Sequence, residues 1–270
     1  MARTRAGYSR GMTLLELLVV LMVLSLILTA AVKAWDVTLE RGRYETTRKR
    51  LEQLATAITG DRDYVVAGRR ADFGFVGDIG RLPEGLIELA SDPNPGAADS
   101  LKGWRGPYLR APFNESPTAF LFDGWGDSII YNKDSLFLRS YGGRGLADRT
   151  RWMTHLLGYS KDELLLNEVN GRVVDVTNAP PQPDDSASIR VMMRIPAPDG
   201  TKFWYEVPVD INGGFVFDNI PQGNHLLAAK HVNYTRIPRD SVTTTVTVTV
   251  YPGFGQDVAV QVNRDWDNEH

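Results

Sequence analysis

The chain has 270 residues, 43% of them apolar, a formal net charge of -3 and no cysteine. The mild acidity, with a pI near 5.8, argues against a nucleic-acid footprint. The lack of cysteine excludes disulfide stapling, thiol catalysis, cysteine-based zinc sites and iron–sulfur chemistry.

The apolar content is concentrated at the start. Arg3, Arg5 and Arg10 precede a run from Leu17 to Val32 that carries no charged side chain. With Met12–Glu16 the run reaches the roughly 20 residues a bilayer-spanning helix needs, and the upstream arginines place the N-terminus in the cytoplasm. A core helix, a cleaved secretory signal and a plain signal anchor are the competing readings. The basic flank argues against the first, and no clear A-x-A cleavage site follows the run.

Glu16 stands at the entry of this segment. An unpaired carboxylate deep in a membrane helix costs roughly 2.5 kcal/mol or more, and neither a signal peptide nor a simple anchor gains from it. Cleavage after Gly11 would make Met12 a new amine one helical turn away, so Glu16 could pair with the amine of a neighbouring copy and set the axial register of a stack.

Gly11 followed by MTLLELLVVLMVLSLILTA resembles the cleavage and methylation segment of type IV pilins and type II secretion pseudopilins. The resemblance implies cleavage between Gly11 and Met12 by a prepilin peptidase, N-methylation of Met12, and Glu16 as the assembly glutamate. Its partners would be other pilin or pseudopilin subunits, an inner-membrane assembly platform and, before assembly, the lipid bilayer. The implied location is a single-pass inner-membrane protein, then a periplasmic or extracellular filament. Met12 departs from the family's usual Phe.

Beyond the apolar run the pattern turns polar. Leu51, Leu54 and Ile58 form a narrow stripe at helical spacing, Gly60 is a stop signal, and no proline interrupts Met12–Gly60. A helix of that length runs roughly 70 Å, so its outer half must pack on a head.

Gly77–Pro83, Gly103–Leu109 and the Asp123-Gly124-Trp125-Gly126-Asp127 turn, with strands expected at Ser128–Tyr131 and Ser135–Leu138, resemble in order and spacing the head of the major pseudopilin. Gly124 stands where that family has Pro. Trp104 and Trp125 read as core packing, with carbohydrate stacking as the sharper alternative. The stretch Arg139–Asp148 corresponds to the family's calcium loop but holds one carboxylate, Asp148, among arginines, which argues against calcium there.

From about Glu168 the texture is all-β. Strict alternation in Val246–Val250, a hairpin signal at Asn212-Gly213, and Phe215 and Phe217 on one face predict an antiparallel sandwich of about seven strands. Asn170–Asp175 and Gly214–Gly223 resemble carboxypeptidase-regulatory-like domains, which are non-catalytic prealbumin-like modules. His225 and His231 lie too far apart on a strand to share an ion, and Asp184-Asp185 are expected to face solvent. No catalytic, cofactor or metal constellation stands out.

The expected fold is therefore α+β: a long N-terminal transmembrane pilin helix packed on a small antiparallel-sheet head, plus a C-terminal all-β sandwich. The expected boundaries are a leader at 1–11, the helix at 12–60 (membrane part 12–32), the head at 61–167, the sandwich at 168–265 and a tail at 266–270. The expected role is a filament subunit and not an enzyme. The alternative is a membrane-anchored exported binding protein that does not polymerise.

Overall fold

The structure, a computed structural model, describes residues 13–109, 116–233 and 240–266. Gly11 and Met12 lie outside the described residues. Helix α1 (Leu14–Thr59) runs unbroken for 46 residues, about 69 Å, because no proline or strained turn interrupts it. It ends as expected at Gly60, whose positive φ of 84° suits glycine alone. A Cβ there would lie 2.4 Å from the Phe73 backbone, so glycine also lets the chain that follows turn back against the helix end.

A two-strand ribbon follows, β1 (Val65–Val66) with β2 (Arg69–Arg70), then the short helix α2 (Gly74–Ile79). The stripe expected on α1 is buried: Leu51, Leu54 and Ile58 meet Phe75, Val76 and Ile79 of α2, and Leu86 and Leu89 of a 3₁₀ turn. The sheet of the head closes this core with Leu136, Leu138 and Leu157.

That sheet is an antiparallel meander of β3 (Ile130–Asn132), β4 (Phe137–Ser140) and β5 (Met153–Leu156). Both of its first strands begin two residues later than the sequence suggests. The Asn132 side chain accepts from the backbone N–H groups of Asp134 and Ser135, building a turn that delays β4.

Helix α3 (Lys161–Leu165), opened by a Ser160–Glu163 capping box, leads into the sandwich. Its strands are β6 (Asn167–Val174), β7 (Ile189–Pro196), β8 (Lys202–Pro208), β9 (Gly214–Ile220), β10 (Gly223–Asn233), β11 (Asp240–Val250) and β12 (Gln256–Gln261). A single helical turn, α4 (Pro183–Ser186), interrupts the β6–β7 connection. One sheet has the order β11-β10-β7-β8 and the other β12-β6-β9. Phe215, Phe217, Val191, Met193, Leu227 and Val260 fill the space between them.

Three details correct the expectations. β12 pairs with β6 in parallel, so the sandwich is not wholly antiparallel; apolar alternation reports which face is buried but carries no strand direction. Asn212-Gly213 does not join a hairpin, because β8 and β9 belong to different sheets. Its tight turn is made instead by Asp210, whose carboxylate accepts from Asn212 and Gly214 N–H. Trp266, beyond the expected sandwich boundary, is fully buried in its core.

Candidate functional site

The first candidate is the N-terminal turn of α1. Thr13 Oγ1 accepts from Glu16 N at 3.3 Å, and the Glu16 carboxylate accepts from Thr13 N at 3.4 Å. This is a reciprocal capping box, legible as Thr-x-x-Glu at positions 13–16 though not among the expectations above. The negative charge also lies at the positive end of the helix dipole. Glu16 therefore has a local partner within its own chain, besides any amine a neighbour brings.

Above this turn α1 is an unshielded apolar cylinder. Leu14 to Leu28 expose every large apolar side chain, and Val32 and Trp35 continue the pattern. The two hydroxyls are satisfied within the helix, Ser25 donating to Met22 O and Thr29 to Ser25 O, both at 2.8 Å. An apolar surface this large on a water-soluble part would be a liability; in lipid, or packed against like helices, it is satisfied. Length and composition suffice for a membrane crossing.

The second candidate is the junction where the head grips α1. Gly124 N–H donates to Thr47 Oγ1 at 2.8 Å, and a Cβ on Gly124 would come within 2.3 Å of Arg43 O. The family's proline at this position would have neither that N–H nor that clearance. Asp123 organises the turn: one carboxylate oxygen accepts from Trp125 N and Asp127 N, the other from the Ser140 hydroxyl at 2.5 Å. The turn at 123–127 and the start of the 139–148 stretch are thus bonded to each other.

Trp125 is half-buried, and its place differs from the expected core position. Its indole N–H points to the Glu40 carboxylate at 3.3 Å, which Arg151 also meets at 3.0 Å. Partial burial would raise the Glu40 pKa, but the hydrogen bonds from Arg151 and Trp125 outweigh it and hold Glu40 below the usual carboxylate range. Trp104, by contrast, packs on the head core beside Tyr108.

In the stretch 139–148 the lone carboxylate is occupied locally, Asp148 accepting from Thr150 N and Oγ1. Among the described residues no cluster of three or more His, Cys, Asp or Glu is placed to hold a metal. His225 and His231 are both buried on β10 but serve different ends: His225 Nε2 contacts Pro221 O at 2.8 Å, while His231 lies 3.9 Å from Asp185 and edge-on to Trp266. Asp185, expected in solvent, is turned inward by α4 towards that histidine.

The third feature is the seam between head and sandwich. Gln222 is fully buried and donates to Thr59 O and Phe73 O at the end of α1. Arg70 Nη2 donates to the same Thr59 carbonyl at 2.7 Å and its guanidinium lies over the Phe73 ring. Head residues 101–103 extend the β8 edge, through Lys202 N to Leu101 O and Gly103 N to Gly200 O.

A family model described as the prokaryotic N-terminal methylation motif matches residues 7–32. The chain is 27% identical over 128 residues to the type II secretion system core protein G of Xanthomonas campestris pv. campestris, covering 47% of this chain and 71% of that protein. Two solved structures share low likeness. A candidate carbohydrate binding protein from Pseudomonas aeruginosa matches at 16% identity and TM-score 0.24, over 37% of this chain and 90% of that one. A 9R-lipoxygenase from Cyanothece matches at 15% identity and TM-score 0.23, over 36% of this chain and only 16% of that one. At those scores neither structure bears on function. The methylation motif and the likeness to a type II secretion core protein G together support a pilin or pseudopilin family for this chain.

Proposed function

We propose that the chain is a structural subunit of a pseudopilus or pilus, stored in the membrane by α1 and polymerised through it. Its role is architectural and not catalytic. Cleavage after Gly11 by a prepilin peptidase frees Met12, which is methylated, and the Glu16 carboxylate accepts the amine of an adjoining subunit. In the isolated chain that carboxylate is held by the Thr13 capping box, so assembly exchanges a weak local bond for an ion pair in low dielectric. The N-terminus lies in the cytoplasm, and the assembly platform lifts the subunit from the inner membrane into a periplasmic or extracellular filament.

The observation that carries this reading is the bare apolar half of α1 below a head that grips only the upper half. Packing identical cylinders side by side is the way such a chain leaves lipid without exposing its helix to water. Mass spectrometry of the mature protein tests the processing: a methylated Met12 N-terminus is expected, and an intact Met1 or a cut elsewhere would refute it. Glu16→Gln should abolish filaments in cells while the chain still reaches the membrane; normal filaments from that variant would sink the assembly role.

A further inference from the structure

The connection between β4 and β5, residues 141–152, hangs at the membrane-facing end of the head. Strand β5 fixes this direction: Arg151, just before it, meets Glu40 of α1, whereas Tyr159, just after it, meets Arg62 and Arg70 at the far end of α1. The loop therefore lies at the end of the sheet nearest the bilayer. With the membrane part of α1 ending at Val32, as the sequence suggests, the eight steps from Val32 to Glu40 rise about 12 Å, and the headgroup layer would occupy about 5–8 Å of that. The loop's arginines are thus within their own side-chain length, and about one Debye length, of the lipid phosphates.

Its composition suits that neighbour. Arg144, Arg149 and Arg151 are exposed, and Leu146, on the 3₁₀ turn at the tip, is 68% exposed. Tyr141 and Trp152 form a ring pair behind it, with Arg139 and Arg149 over the Trp152 ring. Three carboxylates, Asp148, Glu40 and Asp127, offset part of the charge of Arg139, Arg144, Arg149 and Arg151, so the loop keeps a small positive excess, carried at its tip by Arg144 and Arg149. Asp148 is bonded to Thr150 and Glu40 to Arg151 and Trp125, while Asp127 is exposed. An exposed leucine flanked by arginines and backed by Trp and Tyr is the composition of an interfacial anchor.

We propose that residues 141–152 dock on anionic phospholipid headgroups while the subunit is anchored, Arg144 and Arg149 meeting phosphate and Leu146 entering the interface. The proposal rests on the membrane-anchored reading above. It gives the stored subunit a second lipid contact, which extraction into a filament must release.

The absence of cysteine makes the test clean, because Leu146→Cys in the full chain creates a single labelling site. The chain, labelled there with an environment-sensitive dye, is reconstituted in phosphatidylcholine vesicles with and without phosphatidylglycerol, and a second preparation is labelled at Phe254→Cys. Blue-shifted emission at 146 only in the anionic vesicles is expected, reversed by high salt. Arg144→Glu and Arg149→Glu should each lower the docked-to-free ratio at least about fivefold, from about 1 kcal/mol per basic residue near such a surface. Equal emission in both vesicles, or an equal shift at 254, overturns the proposal. A shift that follows protein density and not lipid charge overturns it too, in favour of a contact between copies. Deuterium uptake by the unlabelled chain, lower across 141–152 in anionic vesicles, decides the matter if the dye itself perturbs the tip. A chain that floats with neither vesicle refutes the anchor as well, whereas flotation without a response at 146 refutes this proposal alone.

Discussion

The Gln222 side-chain amide, carried by the turn between β9 and β10, donates to the carbonyl of Thr59 at 3.0 Å, closing the last turn of α1. The last carbonyls of a helix have no intrahelical donor, and here a residue 163 positions away supplies one. The sandwich is thereby fastened to the end of the helix. In a filament it would be held in fixed orientation to the shaft and not hung from a linker.

Gln222→Ala removes that donor from a fully buried seam that Arg70 shares. Thr59 O keeps its bond from Arg70 and Phe73 O its bond from Gly77 N–H, so the loss expected is that of two buried hydrogen bonds, about 1–3 kcal/mol. Calorimetry of the wild type should show head and sandwich melting together, and the variant should lower the melting temperature or split the transition. Two separate transitions in the wild type would contradict a fastened seam.

Gly124→Ala should weaken the grip of the head on α1. The new methyl would lie 2.3 Å from Arg43 O, and relief requires moving the turn off the helix. A cost of about 1–3 kcal/mol is expected, measurable by urea denaturation. Gly124→Pro, which restores the family's residue, should be worse, because it also deletes the N–H donated to Thr47.

Trp266→Ala should cost about 3–5 kcal/mol. The indole is fully buried, donates to Ala179 O at 3.2 Å and stacks edge-on with His231. Chemical denaturation followed by far-ultraviolet circular dichroism reads this out. A near-neutral result would show that the C-terminal segment adds nothing to the sandwich.

Acid should destabilise the protein through His225. Burial pushes this imidazole down to about 4, against opposing hydrogen bonds to the backbone of Pro221 and Arg194. Its unfolded-state pKa is about 6.5. Above that value both states are neutral and no dependence arises. As the pH falls from about 6.5 to about 4 only the unfolded chain takes up the proton, so stability declines across that window. Melting temperatures measured from pH 4 to 7 should fall more steeply for the wild type than for His225→Gln; parallel curves would contradict the assignment.

Patterns local to a few turns were legible in the residues. The apolar run, the Leu51–Leu54–Ile58 stripe, the Gly60 stop, and Phe215 with Phe217 each repeat at the period of their element, so burial on one face leaves a direct imprint. Glu16 was legible as unusual, and the Thr13 capping box was equally readable and was missed. The sequence by itself thus determined an anchor helix, a pseudopilin-like head and a β-sandwich. Only the tertiary structure decided that β12 runs parallel to β6, that Asn212-Gly213 crosses between sheets, that Trp125 serves Glu40, and that Gln222 completes α1. Those facts depend on which distant segments meet. Periodicity encodes which face is buried and carries no information about what buries it.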